Sequence, residues 1–184
     1  MIENLPTDVE VWPLAADESG VWLISGPEPW RSREPVPATV DPHAEAWALL
    51  QHTERVRALL LHSPSWRYEA HRHAPLRGPR VVLSYVAVLP CSRDAGTVRL
   101  LWPDARPVDP EAVLGATGPA PSWVGPDSPE PLRVHVLTHA VRHLAFLAAT
   151  DSTVRELLPD VWLDYLAGAT PSLAGQYLQD PNAA

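Results

Sequence analysis

Residues 80–90 read RVVLSYVAVLP, an apolar run interrupted by Ser84 alone. In an extended chain, successive side chains point to opposite faces. Both faces of this run are apolar, so it reads as a central strand buried on each side. The turn LRGP, residues 76–79, leads into it from SWRYEAHRHA, residues 65–74. That segment alternates with period two. One face carries Trp66, Tyr68, Ala70 and Arg72, and the other Arg67, Glu69, His71 and His73. Downstream, TVRLLW at 97–102 reads as a further strand.

Working outward, residues 8–25 hold two apolar segments around Asp17-Glu18-Ser19-Gly20. Acidic and small residues followed by Gly are turn chemistry, so a β-hairpin is expected. Pro13 cannot donate to a ladder, which places it at a strand end or edge. A Pro-rich loop follows, holding Trp30, Arg31 and Arg33. Asp41-Pro42 opens a helix, because Asp caps and Pro at the first helical position wastes no hydrogen bond. Ala44, Trp47, Ala48, Leu49 and Leu50 form its apolar face, and it ends near Thr53. The segment 56–63, VRALLLHS, fits a last helical turn or a strand.

Beyond Trp102 the pattern changes. Residues 103–131 contain eight Pro and read as a long connection, with a short helix near 109–115. Residues 132–150 form the strongest helical pattern. Asp151 or Ser152 caps a second helix, which Pro159 breaks. A third covers 160–167, with Gly168 as its stop. The fold class is therefore α+β: a mixed or antiparallel sheet with one early helix and a helical C-terminal third. One domain is expected, with a β-rich portion at 1–102, the Pro-rich connection at 103–131, and a helical portion at 132–184 packed on the sheet.

Composition narrows the function. The 184 residues include 22 Pro and one Cys. All 14 basic residues are Arg, against 22 acidic ones, for a net charge of −8. That balance argues against a nucleic-acid partner. Without lysine there is no P-loop lysine and no Schiff-base chemistry. The N-terminus lacks an apolar signal core, and no apolar run is long enough to span a bilayer. A cytoplasmic protein with no membrane partner is expected.

Histidine and arginine carry the remaining chemistry. His135, His139 and His143 recur every fourth residue on one helix, within an arc of about 80°. Neighbours in that series are one turn apart and compatible with a shared metal, but the outer two are about 12 Å apart. His71 and His73 form an H-x-H on a strand face. A zinc centre needs three or four converging ligands, so the metal reading is none, with zinc as the alternative. Cys91 has no context that stabilises a thiolate. Asp160 and Asp164, one turn apart, are the nearest approach to a carboxylate pair. Trp30 and Trp123 lie in Pro-rich loops and are candidates for a partner surface.

The segments LLLHSPSWR, RVVLSYVAVLP, LWPDARPV, VLTHAVRHLAFL and PSLAGQYL resemble uncharacterised cytoplasmic proteins of high-GC actinobacteria, Streptomyces-like in composition. That resemblance implies no activity. The order of loop, helix and strands over 21–90 is similar to Nudix hydrolases. Those enzymes carry a Glu triad for Mg²⁺, whereas the helix here offers only Glu45 and Glu54. The resemblance thus implies a degenerate, non-hydrolytic scaffold, since hard-cation ligation needs clustered carboxylates.

The expected function is a non-catalytic or accessory protein that binds a small anionic ligand or a protein partner. The expected groove has Arg67, Glu69, His71 and His73 facing His135, His139, Arg142 and His143. Arg and His would hold an anion by charge-assisted hydrogen bonds. The alternative is a small hydrolase, Nudix-related or zinc-dependent.

Overall fold

The computed structural model describes residues 5–53, 57–69, 78–90, 94–109 and 133–174. Six strands form one mixed sheet among the described residues. They are β1 (Thr7–Asp17), β2 (Gly20–Leu23), β3 (Trp30–Arg31), β4 (Leu60–Glu69), β5 (Arg80–Val88) and β6 (Arg106–Pro107). The helices are α1 (Pro42–Thr53), α2 (Thr97–Leu101), α3 (Arg133–Thr150), α4 (Ser152–Leu157) and α5 (Asp160–Ala167). The fold is α+β with a C-terminal helical region.

The sheet runs β4-β5-β1-β2-β6, with β3 also pairing β1. At its centre β5 and β1 lie parallel, with Glu10 opposite Ser84 and Leu14 opposite Val88. Cross-strand partners share a face, so that register assigns every side chain to one of two layers. Trp12, Leu14 and Ala16 of β1 join Val86 and Val88 of β5 against α3, α4 and α5. Val9, Val11 and Ala15 join Tyr85 and Ala87 beneath α1 and α2. The apolar run at 80–90 is thus central because both of its faces are covered. Trp162 on α5 is fully buried and fills much of the C-terminal layer.

Local chemistry sets several boundaries. Asp17 pairs with Gly20, which leaves Glu18 and Ser19 as a two-residue hairpin loop. The Asp17 carboxylate accepts from the Ser19 N–H at 2.9 Å, closing the turn. At α1, Asp41 accepts from the His43 N–H at 3.0 Å. At α4, Asp151 accepts from the amides of Thr153 and Val154 at 2.8 and 3.3 Å.

Two expectations are corrected and one open reading is settled. Pro13 lies inside the central strand rather than at an end or an edge. Its carbonyl accepts from Ile24 at 3.0 Å, on the side where β1 changes partner. There β3 pairs with Glu10 and Val11, and β2 begins opposite Leu14. The missing N–H therefore falls at a seam where no ladder bond is needed. Residues 97–101 form helix α2, not a strand, with Trp102 as its C-cap. Gly96, with φ of 81°, turns the chain into it, and Asp17 accepts from the Val98 N–H at 3.1 Å. A carboxylate from another element supplies the cap that Gly96 cannot. Finally, β4 begins at Leu60, so the second half of VRALLLHS belongs to the strand.

Candidate functional site

Among the described residues, two places carry charges of both signs, and they are built differently. The first is the polar end of the sheet face that carries α3. Asp8 and Glu10 alternate with apolar residues on β1, so both point to this face, and both are fully buried. Arg31 lies opposite Glu10 on β3. Arg67 and Glu69 lie on the same face of β4, and Arg80 and Ser84 on that of β5.

Their side chains form one row of alternating charge. Arg80 places Nη1 3.0 Å from both oxygens of Asp8. Asp8 also accepts from Arg31 Nε at 3.1 Å. Arg31 then grips Glu69 with two parallel bonds, Nη1 to Oε1 at 3.0 Å and Nη2 to Oε2 at 2.6 Å. Glu69 lies 3.8 Å from Arg67. Arg67 ends the row on Glu10, with Nη2 to Oε2 at 2.8 Å and Nη1 bonded to Oε1. Glu10 also accepts from Ser84 Oγ at 2.6 Å and Trp12 Nε1 at 2.9 Å. Burial works to raise the Glu10 carboxyl, but the Arg67 guanidinium and the hydrogen bonds outweigh it and hold the group below its ordinary range. Three cations meet three anions, so the row is neutral and internally satisfied.

On the same face, α3 packs on β4 through histidine. His139 Nε2 donates to the Pro64 carbonyl at 2.9 Å. His143 Nε2 lies 2.8 Å from His62 Nε2, and its Nδ1 donates to the Ser172 carbonyl at 3.2 Å. Burial lowers the affinity of His62, His139 and His143 for a proton.

These contacts locate the residues named from the sequence. Arg67 and Glu69 share the β4 face that carries His62, and His62 meets His143. Arg67, Glu69, His139, Arg142 and His143 are buried. His135 is half-buried. His71, His73, Trp123, Cys91 and Glu54 lie outside the described residues. No group of three metal-ligating side chains occurs among the described residues. Asp8, Glu10, Arg80 and His62 escaped the sequence reading. The signal for the first two was an Asp-x-Glu spacing inside an otherwise apolar strand, which puts two carboxylates on one buried face.

The second place is open. The Pro-rich loop packs against α1 and leaves a pocket of about 1080 Å³. Pro29, Trp30, Arg33 and Pro35 line the loop side, and Ala48 and Leu49 the helix side. Its rim carries Glu34 and Glu45, and Arg31, a member of the buried row, also lines it. The loop is pinned to β1. Ser32 exchanges bonds with Val9, its N–H donating at 2.8 Å and its Oγ accepting at 3.1 Å. The Val36 N–H donates to Thr7 at 2.7 Å. No known protein family matches the chain, and no curated protein is significantly similar to it.

A further pocket, about 640 Å³, is lined by Asp17, Glu18, Asp160, Asp164 and Tyr165. The two aspartates one turn apart on α5 thus meet the β1–β2 hairpin. Burial, with Asp109 nearby, pushes the Tyr165 hydroxyl up to about 12. Asp17 is engaged with Ser19, Trp22 and Val98. Its carboxylate serves the hairpin and α2. No helix among the described residues is long and apolar enough to cross a membrane.

Proposed function

We propose that this protein is a non-catalytic binding protein and that the Trp30 pocket is its recognition site. The occupant is an extended segment of a protein partner. It carries an apolar anchor for the Trp30 ring, flanked by one acidic and one basic group for Arg33 and for Glu34 and Glu45. The observation that carries this reading is the build of the pocket: an apolar centre, a rim with charges of both signs, and a backbone held before any ligand arrives. Proline fixes φ at 29, 35 and 37. The bonds from Ser32 and Val36 to β1 hold the loop in place. A site ordered in advance loses less entropy on binding. Apolar centres with polar rims are the ordinary anatomy of protein interfaces, and Trp and Arg are their strongest anchors. A small anion is the weaker occupant, because Arg31 is already committed to Asp8 and Glu69 and the rim carries two glutamates. A cytoplasmic site of action belongs to this proposal, supported by a chain with a single Cys.

A peptide library displayed on phage tests it. The full-length protein should enrich peptides with an aromatic or aliphatic residue between opposite charges. Trp30→Ala and Arg33→Glu should lose them while circular dichroism shows the fold retained, with the melting temperature near wild type for Arg33→Glu and lowered for Trp30→Ala, whose ring also packs on the core. Retention of the same peptides by both variants would overturn the assignment. So would pyrophosphate binding that Arg33→Ala abolishes, which would move the reading to a small anion.

A further inference from the structure

His62 and His143 meet across the joint between β4 and α3, next to the irregularity in β4 between His62 and Ser65. The rings lie 4.7 Å apart at 23°. Their partners decide where the protons sit. A carbonyl oxygen only accepts, so His143 must carry hydrogen on Nδ1 to bond Ser172. Neutral His143 then has a bare Nε2, and His62 must donate its Nε2–H to it. Both nitrogens of His143 are in use.

The contact therefore holds a limited number of protons. One added proton can sit on His62 Nδ1 and leave the shared bond intact. A second must go to His143 Nε2, which would set two N–H groups facing each other 2.8 Å apart. The titratable and charged groups recorded around the pair are basic. Arg142 and His139 lie on α3, with Arg142 acting on His139. His43 acts on His62 from α1. From β5 the partner of His62 is Val86, and the C-terminal segment brings Ser172. Among these neighbours none is an acid.

The same helix turn also holds Ser172. The Ser172 N–H donates to the Arg142 carbonyl at 3.1 Å, so residues 142 and 143 of α3 take both backbone groups of Ser172. We propose that the His62–His143 pair is a proton-operated latch, closed when the rings share one hydrogen and opened by double protonation, which releases the segment around Ser172 from α3. Buried histidine pairs that charge in mildly acid conditions are an established way to bias a joint between two arrangements. The linkage has a definite sign. Burial depresses proton affinity in the folded state. Above an ordinary value near 6.5 both states are neutral and the latch has its full strength. As the pH falls below that, the open state takes up protons first, and the closed state loses ground until the folded values are passed.

Histidine-ring NMR on the full chain, combined with hydrogen exchange at the Ser172 amide, tests the latch. Between about pH 7 and pH 5, Ser172 exchange corrected for its intrinsic rate should accelerate about tenfold or more, in step with protonation at His143 Nε2. His62→Gln should abolish the step. Its amide can donate to the bare Nε2 and, after rotation, accept from a protonated one. Unchanged Ser172 protection while both rings of the wild type become charged would overturn the latch. Loss of protection in His62→Gln at the wild-type pH would do the same. If that variant does not fold, the wild-type comparison of ring charge with Ser172 protection decides alone.

Discussion

The buried row of charges and the rim of the Trp30 pocket use the same residue types to opposite ends. In the row, Arg80, Asp8, Arg31, Glu69, Arg67 and Glu10 are spent on one another. At the rim, Arg33 and Glu34 are exposed to solvent. Arg31 belongs to both, with its guanidinium in the row and its side chain 25% exposed toward the pocket. Ionised groups taken out of water lose several kcal/mol of hydration each, so they persist only as matched partners. Groups left in water keep their hydration and can exchange it for a ligand. Burial, not residue type, separates the charges paired inside the sheet from those at the surface here.

The sharpest way to break the row is to remove one member. Glu10→Ala leaves Arg67 buried without its bidentate partner and should cost about 3–5 kcal/mol in urea unfolding. The double change Glu10→Leu with Arg67→Met should recover most of that, because it removes the uncompensated charge. A single-variant cost below about 1 kcal/mol would mean that water reaches the row. The apolar end of the same strand offers the control. Leu14 is fully buried, and Leu14→Ala should cost about 2–5 kcal/mol through lost transfer and cavity terms. Unlike the Glu10 variant, no second substitution nearby should rescue it. A smaller effect is expected at the carboxylate that ties the hairpin to α2. Asp17→Ala should cost about 1–2 kcal/mol, with the loss of amide protection concentrated at Val98. The rim should respond least. Arg33→Ala should change stability by no more than about 0.5 kcal/mol, with its effect confined to peptide binding.

Much of the fold was legible because its signals are local. The hairpin at Asp17–Gly20, the start of α1 at Asp41-Pro42, the Asp151 cap and the break at Pro159 each depend on a few adjacent residues. The shared face of Arg67 and Glu69 followed from strand alternation alone. The failures have a common cause. At 97–102 an apolar pattern over six residues cannot separate strand from helix, and the deciding cap comes from Asp17, far away in the chain. Nothing local to Pro13 says that a central strand changes partner beside it, so its sequence context points to a strand margin. His62 stood in a segment whose period was ambiguous, so the residue that meets His143 was overlooked.

By itself the sequence determined the class α+β, the starts of α1, α4 and α5, the covered central strand and a charge inventory without lysine. Those depend on backbone sterics and on the period of apolar residues, which act over short spans of chain. Only the tertiary structure decided which charges cancel, which histidines meet and which surface stays open. Charge pairing requires two side chains to share one low-dielectric space, and that space exists only once strands distant in sequence have been brought into register.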